Sequence, residues 1–178
     1  MHFVAVLYTV EFQKRGLPHC HLLLWIKASH RVQAHTDVDR YVSAELPHPT
    51  LDPEGYRVVT EFMMHDPCGL VNTSAPCMRD SDVCTKKFPK AFCPETFIDN
   101  KGYVHYRMRD SGITTMRQNV SLDNGCVVPH NRSLCMRFYA HINVEYCEWS
   151  MLIKYLFKYI SKGTDRIVTH ITRTLGST

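Results

Sequence analysis

The sequence predicts an α+β domain: an antiparallel sheet with helices against one face and a Cys-rich loop insertion. Three observations carry this. Residues 3–12 (FVAVLYTVEF) and 19–27 (HCHLLLWIK) are β-branched and aromatic stretches separated by QKRGLP, a turn composition, so they read as a hairpin. Residues 149–160 place Trp149, Leu152, Ile153, Leu156, Phe157 and Ile160 on one helical face, and Gly163 follows as a stop. Residues 65–94 hold four of the eight cysteines, several prolines and no apolar periodicity. The 178 residues suit one domain with an excursion, here 1–163 with the insertion at 65–94 and a trailing end at 164–178.

The remaining elements follow in order. Residues 30–46 are polar and helical in part, 47–57 carry three prolines and a glycine and read as a loop, and 58–65 (VVTEFMMH) read as a short helix. Residues 103–109 (YVHYRMR) and 141–147 (HINVEYC) alternate and read as strands, with an Asp123–Asn124–Gly125 turn between extended pieces.

Composition narrows the function classes. Hydrophobic residues at 44% and Gly plus Pro at 8 and 9 residues exclude collagen-like and wholly disordered chains. No apolar run approaches the roughly 20 residues that a membrane span needs, and no secretory leader pattern opens the chain, so a membrane partner is not expected. The net charge of +4, with eleven histidines counted neutral, suits a polyanion. Eight cysteines without a leader point to a reducing compartment, and four of them beside His65 point to metal before disulfides.

On a strand, His19 and His21 leave the same face. Cys20, Leu22, Leu24 and Ile26 take the other, expected to pack on helices. If the apolar sets of the hairpin share a face, Glu11 joins the histidines. Two imidazoles and a carboxylate with open positions make a divalent-cation site; two ordinary strand histidines are the plainer reading of H-x-H alone. His65, Cys68, Cys77 and Cys84 give H-x2-C-x8-C-x6-C, a structural zinc set or, alternatively, small hydrophobic thiols in a loop. Cys126, Cys135 and Cys147 are expected in the core.

Tyr155 and Tyr159 stack on one side of the last helix, at the border of its apolar stripe. Such tyrosines either bury a ring and expose a hydroxyl or, with activation, act as nucleophiles. Arg107 and Arg109, with Tyr103 and His105, and Lys86, Lys87 and Lys90 with Phe88, mix charge with rings as single-strand binding surfaces do. Solvated surface lysines are the commoner origin of such patches.

EFQKRGLPHCHLLLW (11–25), HDPCGLVNTSAPCMRDSDVCTKKFPKAF (65–92), GYVHYRMRD (102–110), HINVEYC (141–147) and KYLFKYISKG (154–163) together resemble the Helitron transposase nuclease. This is the Rep-type, HUH-family domain often labelled Helitron helicase-like, and the resemblance covers nearly the whole chain in order. It implies an HUH-type sheet and a metal-dependent single-stranded DNA endonuclease and strand transferase of a rolling-circle transposon, acting in the nucleus. Mg or Mn would be held by His19, His21 and Glu11, with Glu145 the alternative third ligand. Tyr155 and Tyr159 would be nucleophiles, forming a 5′-phosphotyrosine. Lys14, Arg15, Arg107, Arg109, Lys158 and Lys162 would contact DNA. The family's helicase is not encoded here, since no GxxxxGK[ST] phosphate loop occurs and hence no ATP site of that kind. The family's nuclease also carries sequence ahead of residue 1, so the resemblance implies a fragment. Two rivals stand beside this reading: an inactive, zinc-stabilised DNA-binding remnant, and a metal-dependent hydrolase using water.

Overall fold

A computed structural model describes residues 3–12, 18–27, 32, 34–79, 81–147 and 168–173. In chain order its elements are β1 (Phe3–Phe12), β2 (Pro18–Ile26), α1 (Pro53–Phe62), β3 (Phe97–Ile98), β4 (Val104–His105), β5 (Thr115–Arg117), β6 (Val120–Leu122), α2 (Arg132–Phe138) and β7 (Val168–Arg173). Short 3-10 helices cover His35–Arg40, Pro76–Met78 and Asn124–Cys126. The chain divides into two units, one of residues 1–33 and 147–178, the other of residues 34–146. The mixed α+β class expected from the sequence is present, with small antiparallel sheets and short helices. No helix among the described residues is long and apolar enough to cross a membrane.

In the first unit the order is β2–β1–β7, antiparallel on both sides of β1. The hairpin spans nearly the residues that composition marks. Its register sets Glu11 opposite His19, Thr9 opposite His21 and Leu7 opposite Leu23, with an irregularity between Phe3 and Ala5. β7 pairs Val168 with Val10 and Arg173 with Ala5, so residues read as a trailing end supply a strand. The face assignment needs a correction. Leu7 and Thr9, on the histidine side, are buried, whereas Leu22 and Leu24, at 56% and 44% exposure, are not. Period-2 alternation separates two faces but does not say which one receives a covering layer.

The second unit is built around α1. Asp52 caps it by accepting from the Gly55 N–H at 3.0 Å, and Pro53 begins it, where a missing N–H costs nothing. The helix therefore starts five residues earlier than its apolar residues alone suggest, inside the expected loop. A side chain at Gly55 would place its Cβ 2.1 Å from Asp52 Oδ2, so glycine permits the cap and its ion pair with Arg132. Val58, Val59, Met63 and Met64 pack with Leu46, Leu122, Val127 and Cys135. Buried Asn124 ties three segments: its Oδ1 accepts from Leu46 N–H at 2.7 Å, and its Nδ2 donates to Arg109 O and Ser111 Oγ. Asp123 caps the turn expected there, which winds as a 3-10 helix.

α2, unforeseen in the sequence, is capped by Asn131 and packs on α1. Residues 141–147, expected as a strand, form no ladder; among the described residues they bridge only at Asn143, to His130. Their alternation reflects one packed side rather than a ladder. Likewise 103–109 contribute only β4 and a Met108–Cys93 bridge. Of the three cysteines expected in the core, Cys135 is buried, Cys126 is half-buried and Cys147 is exposed.

Candidate metal centre

Among the described residues, one group of His, Cys, Asp or Glu donors converges. The ligand atoms of His65, Cys68, Cys77 and Cys84 all lie within 4.8 Å of one another. His65 Nε2 stands 3.5 Å from each of the three sulfurs. A tetrahedral ion with its nitrogen at about 2.0–2.1 Å and sulfurs at about 2.3 Å separates N from S by about 3.5 Å. The group could thus hold a metal such as zinc, and its soft thiolates favour that ion over Mg or Mn.

Local chain chemistry assembles these donors despite their wide spacing. His65 follows the last turn of α1 and is fixed by its N–H, which donates to Cys126 O at 2.8 Å. Gly69, at φ +74°, turns the chain after Cys68 in a conformation that an L side chain resists. The 3-10 turn Pro76–Met78 carries Cys77, whose carbonyl accepts from Thr85 N–H and Oγ1 at 2.9 Å. Ala75, Met78 and Cys84 are buried together, with Phe88 packed alongside, and the Phe88 ring stacks on His65 at 4.2 Å.

The three thiols differ electrostatically. Burial, then hydrogen bonds with Cys77 and Cys84, push Cys68 up to about 12. Burial also works against the Cys84 thiolate, but N–H groups of Phe88 and Lys86 and the neighbouring thiols outweigh it, so Cys84 falls below its ordinary value. Burial lowers His65, as do Lys90 and Lys86, against the pull of Asp66; that favours the neutral imidazole a metal takes. The Lys86 and Phe88 amides are participants that the sequence reading missed. Their signal was position: they lie two and four residues past Cys84, where a tight turn returns amides to sulfur.

The second donor set lies on β1–β2. Glu11 faces His19 across the pair, and Glu11 Oε2 is 3.9 Å from His21 Nε2. The two imidazole rings meet edge to face at 4.6 Å. The three share a face as expected, but they do not form a converged ligand group like the first. Glu145, the alternative ligand, lies in the other unit and accepts from Asn143 Nδ2 at 2.9 Å.

The arginines expected to meet DNA are held by carboxylates. Arg109 forms a bidentate pair with Glu45 at 2.8 and 2.7 Å, and Arg107 reaches Asp39 at 3.0 Å. Burial alone would raise Glu45, but its bonds to Arg109, with the charge of Arg107, hold it below the usual range. His105 stacks on Phe97 at 4.6 Å, and Tyr103 is exposed. Tyr155, Tyr159, Lys14, Arg15, Lys158 and Lys162 lie outside the described residues, as does the helix expected at 149–160.

No family model matches this sequence, and no curated protein matches it.

Proposed function

We propose that this chain is a metal-dependent single-stranded DNA endonuclease and strand transferase of the Helitron, rolling-circle type, acting on nuclear DNA. The observation that carries the reading is the β1–β2 register, which sets Glu11, His19 and His21 on one face. Two imidazoles and a carboxylate fit a divalent cation such as Mn or Mg while leaving positions for a substrate. A cation bound there supplies Lewis-acid polarisation of a phosphoryl oxygen. The two histidines and Glu11 hold and orient it. One tyrosine hydroxyl, Tyr155 or Tyr159, attacks the phosphorus. A tyrosine O–P bond forms, the P–O3′ bond breaks, and a 5′-phosphotyrosine and a free 3′-OH result. The second tyrosine allows a second transfer. A complete protein would add a helicase domain. The thiolate centre is a structural zinc site with no part in the chemistry.

The test is to incubate the chain with labelled single-stranded DNA and Mn²⁺ or Mg²⁺ and look for a denaturation-resistant adduct. The adduct forms with the natural chain and vanishes when both Tyr155 and Tyr159 are changed to Phe, which keeps the rings. An adduct in the double Phe variant defeats the tyrosine assignment. Cleavage without any adduct points to the water-based hydrolase. Binding without cleavage points to the zinc-stabilised remnant.

A further inference from the structure

We propose that residues 85–92, the loop folded onto the thiolate centre, bind single-stranded nucleic acid: Lys86, Lys87 and Lys90 take backbone phosphates and the ring of Phe92 stacks on a base. The proposal rests on the single-strand reading above and deepens it by naming binding residues other than those of β1 and β2.

Charge comes first. Arg40, Arg57, Arg107, Arg109, Arg117 and Arg132 each face a carboxylate. Lys86, Lys87 and Lys90 are all exposed, and among the described residues none of them forms a salt bridge. Lys90 Nζ donates to Lys86 O at 2.8 Å and sits 5.0 Å from the Phe88 ring centre. Burial, then the like charge of Lys87, lowers the Lys90 pKa; only Cys84 and Glu145 oppose this. The loop therefore gathers three ammonium groups that no salt bridge holds among the described residues, with Glu145 the carboxylate whose charge acts on Lys90. Neutralising the metal centre does not explain it. A divalent zinc with three thiolates and an imidazole carries one net negative charge, fewer than three ammonium groups.

Shape comes second. The Lys86 and Phe88 amides bond to Cys84, and Lys87 N–H donates to Cys84 O at 2.8 Å. Lys87 takes φ +58°, a conformation that non-glycine residues adopt only when their surroundings impose it. The lysines are thus presented by a turn closed on sulfur rather than by a free tail. Phe92, 46% exposed, lies two residues beyond Lys90, and an exposed ring beside a basic track favours unpaired bases over a duplex.

The experiment uses the zinc-loaded full chain without Mg or Mn, so that no cleavage intervenes, and a labelled oligothymidylate at several salt concentrations. The double variant Lys86→Gln with Lys87→Gln should bind more weakly, with a log–log salt slope shallower by about 1.4, and should keep its zinc. Phe92→Ala should bind at least about fivefold more weakly with the slope unchanged. Wild-type affinity and slope in the double variant overturn the proposal. Zinc loss from that variant also overturns it, because the lysines then serve the metal centre. Unchanged binding by Phe92→Ala, or equally tight binding of a duplex, overturns the single-strand assignment. Failure of the nickase reading shows separately, as a missing covalent adduct in a chain that still binds the oligonucleotide.

Discussion

Two regions of the 34–146 unit hold their shape by different means. Around α1 and α2, Leu46, Val58, Val59, Met63, Met64, Leu122, Val127 and Cys135 are buried against one another, and capped helix ends satisfy the backbone. In the 65–94 segment the buried cluster is only Ala75, Met78 and Cys84, while Leu70, Val71 and Val83 stand in solvent. The first region has enough apolar burial to offset its chain entropy. The second does not, and an ion held by His65, Cys68, Cys77 and Cys84 would fill that gap. A short polar segment can be ordered without a core if one ion crosslinks residues up to 19 apart in sequence.

The largest expected effect comes from breaking this difference at the metal. Cys84→Ser removes the ligand whose thiolate is best supported by backbone amides. Zinc content should fall from about one per chain to near zero, and amide exchange should rise across 65–94. Structural zinc binding amounts to about 10–16 kcal/mol in small metal-dependent domains, so the loss is all or none for the segment. The α1–α2 core should stay protected, joined at the seam where His65 N–H donates to Cys126 O and Lys90 N–H to Gly125 O. Equal loss of protection in both regions would mean that they fold as one. The corresponding change on the other donor set, His21→Ala, should abolish covalent adduct formation and leave zinc at about one per chain.

The sequence made these regions legible to different degrees. Density of Cys beside His marked the metal set, because ligand chemistry is carried by residue type. Strand parity put His19 and His21 on one face, the turn composition of QKRGLP gave the β1–β2 pairing, and matching the apolar sets across the hairpin brought Glu11 to the histidines. The partners of Arg107 and Arg109 were not legible, because Asp39 and Glu45 lie more than 60 residues away and no local pattern announces a long-range ion pair. α2 has only seven residues, too short for periodicity, and its one sequence sign was Asn131 ahead of it as a cap. β7 went unseen because strand pairing with β1 is a tertiary event.

A smaller effect is expected from the core side. Gly55→Ala adds a Cβ that would meet Asp52 Oδ2 at 2.1 Å and Arg132 Nε at 2.8 Å, displacing the cap or its ion pair. Alanine's better helix propensity offsets part of this, leaving a net loss of about 1–2 kcal/mol in denaturant unfolding. Zinc content should not change. A stabilised Gly55→Ala variant would show that the cap is expendable.

The smallest effect concerns pH and a residue the sequence reading passed over. His130 is 1% exposed, its backbone joins Ser43 through paired hydrogen bonds, and its Nδ1 lies 3.0 Å from Val128 O. Burial lowers its pKa, and the bond to Val128 opposes this only in part. The folded state therefore takes up a proton less readily than the unfolded chain, whose histidine titrates near 6.5. Between those two values the unfolded state binds more protons, so stability falls as pH drops below about 6.5 and levels off once the folded group also protonates. One such group contributes at most about 1.4 kcal/mol per pH unit. The depressed carboxylates, Glu45 among them, act in the same direction but only below about 4.5, so as pH falls the loss from His130 begins first. His130→Asn should be less stable at pH 7 and should flatten the stability profile between pH 6.5 and 5 relative to the natural chain. Unfolding curves collected across that range test it, and an unchanged slope would assign the acid sensitivity to the metal region instead of the core.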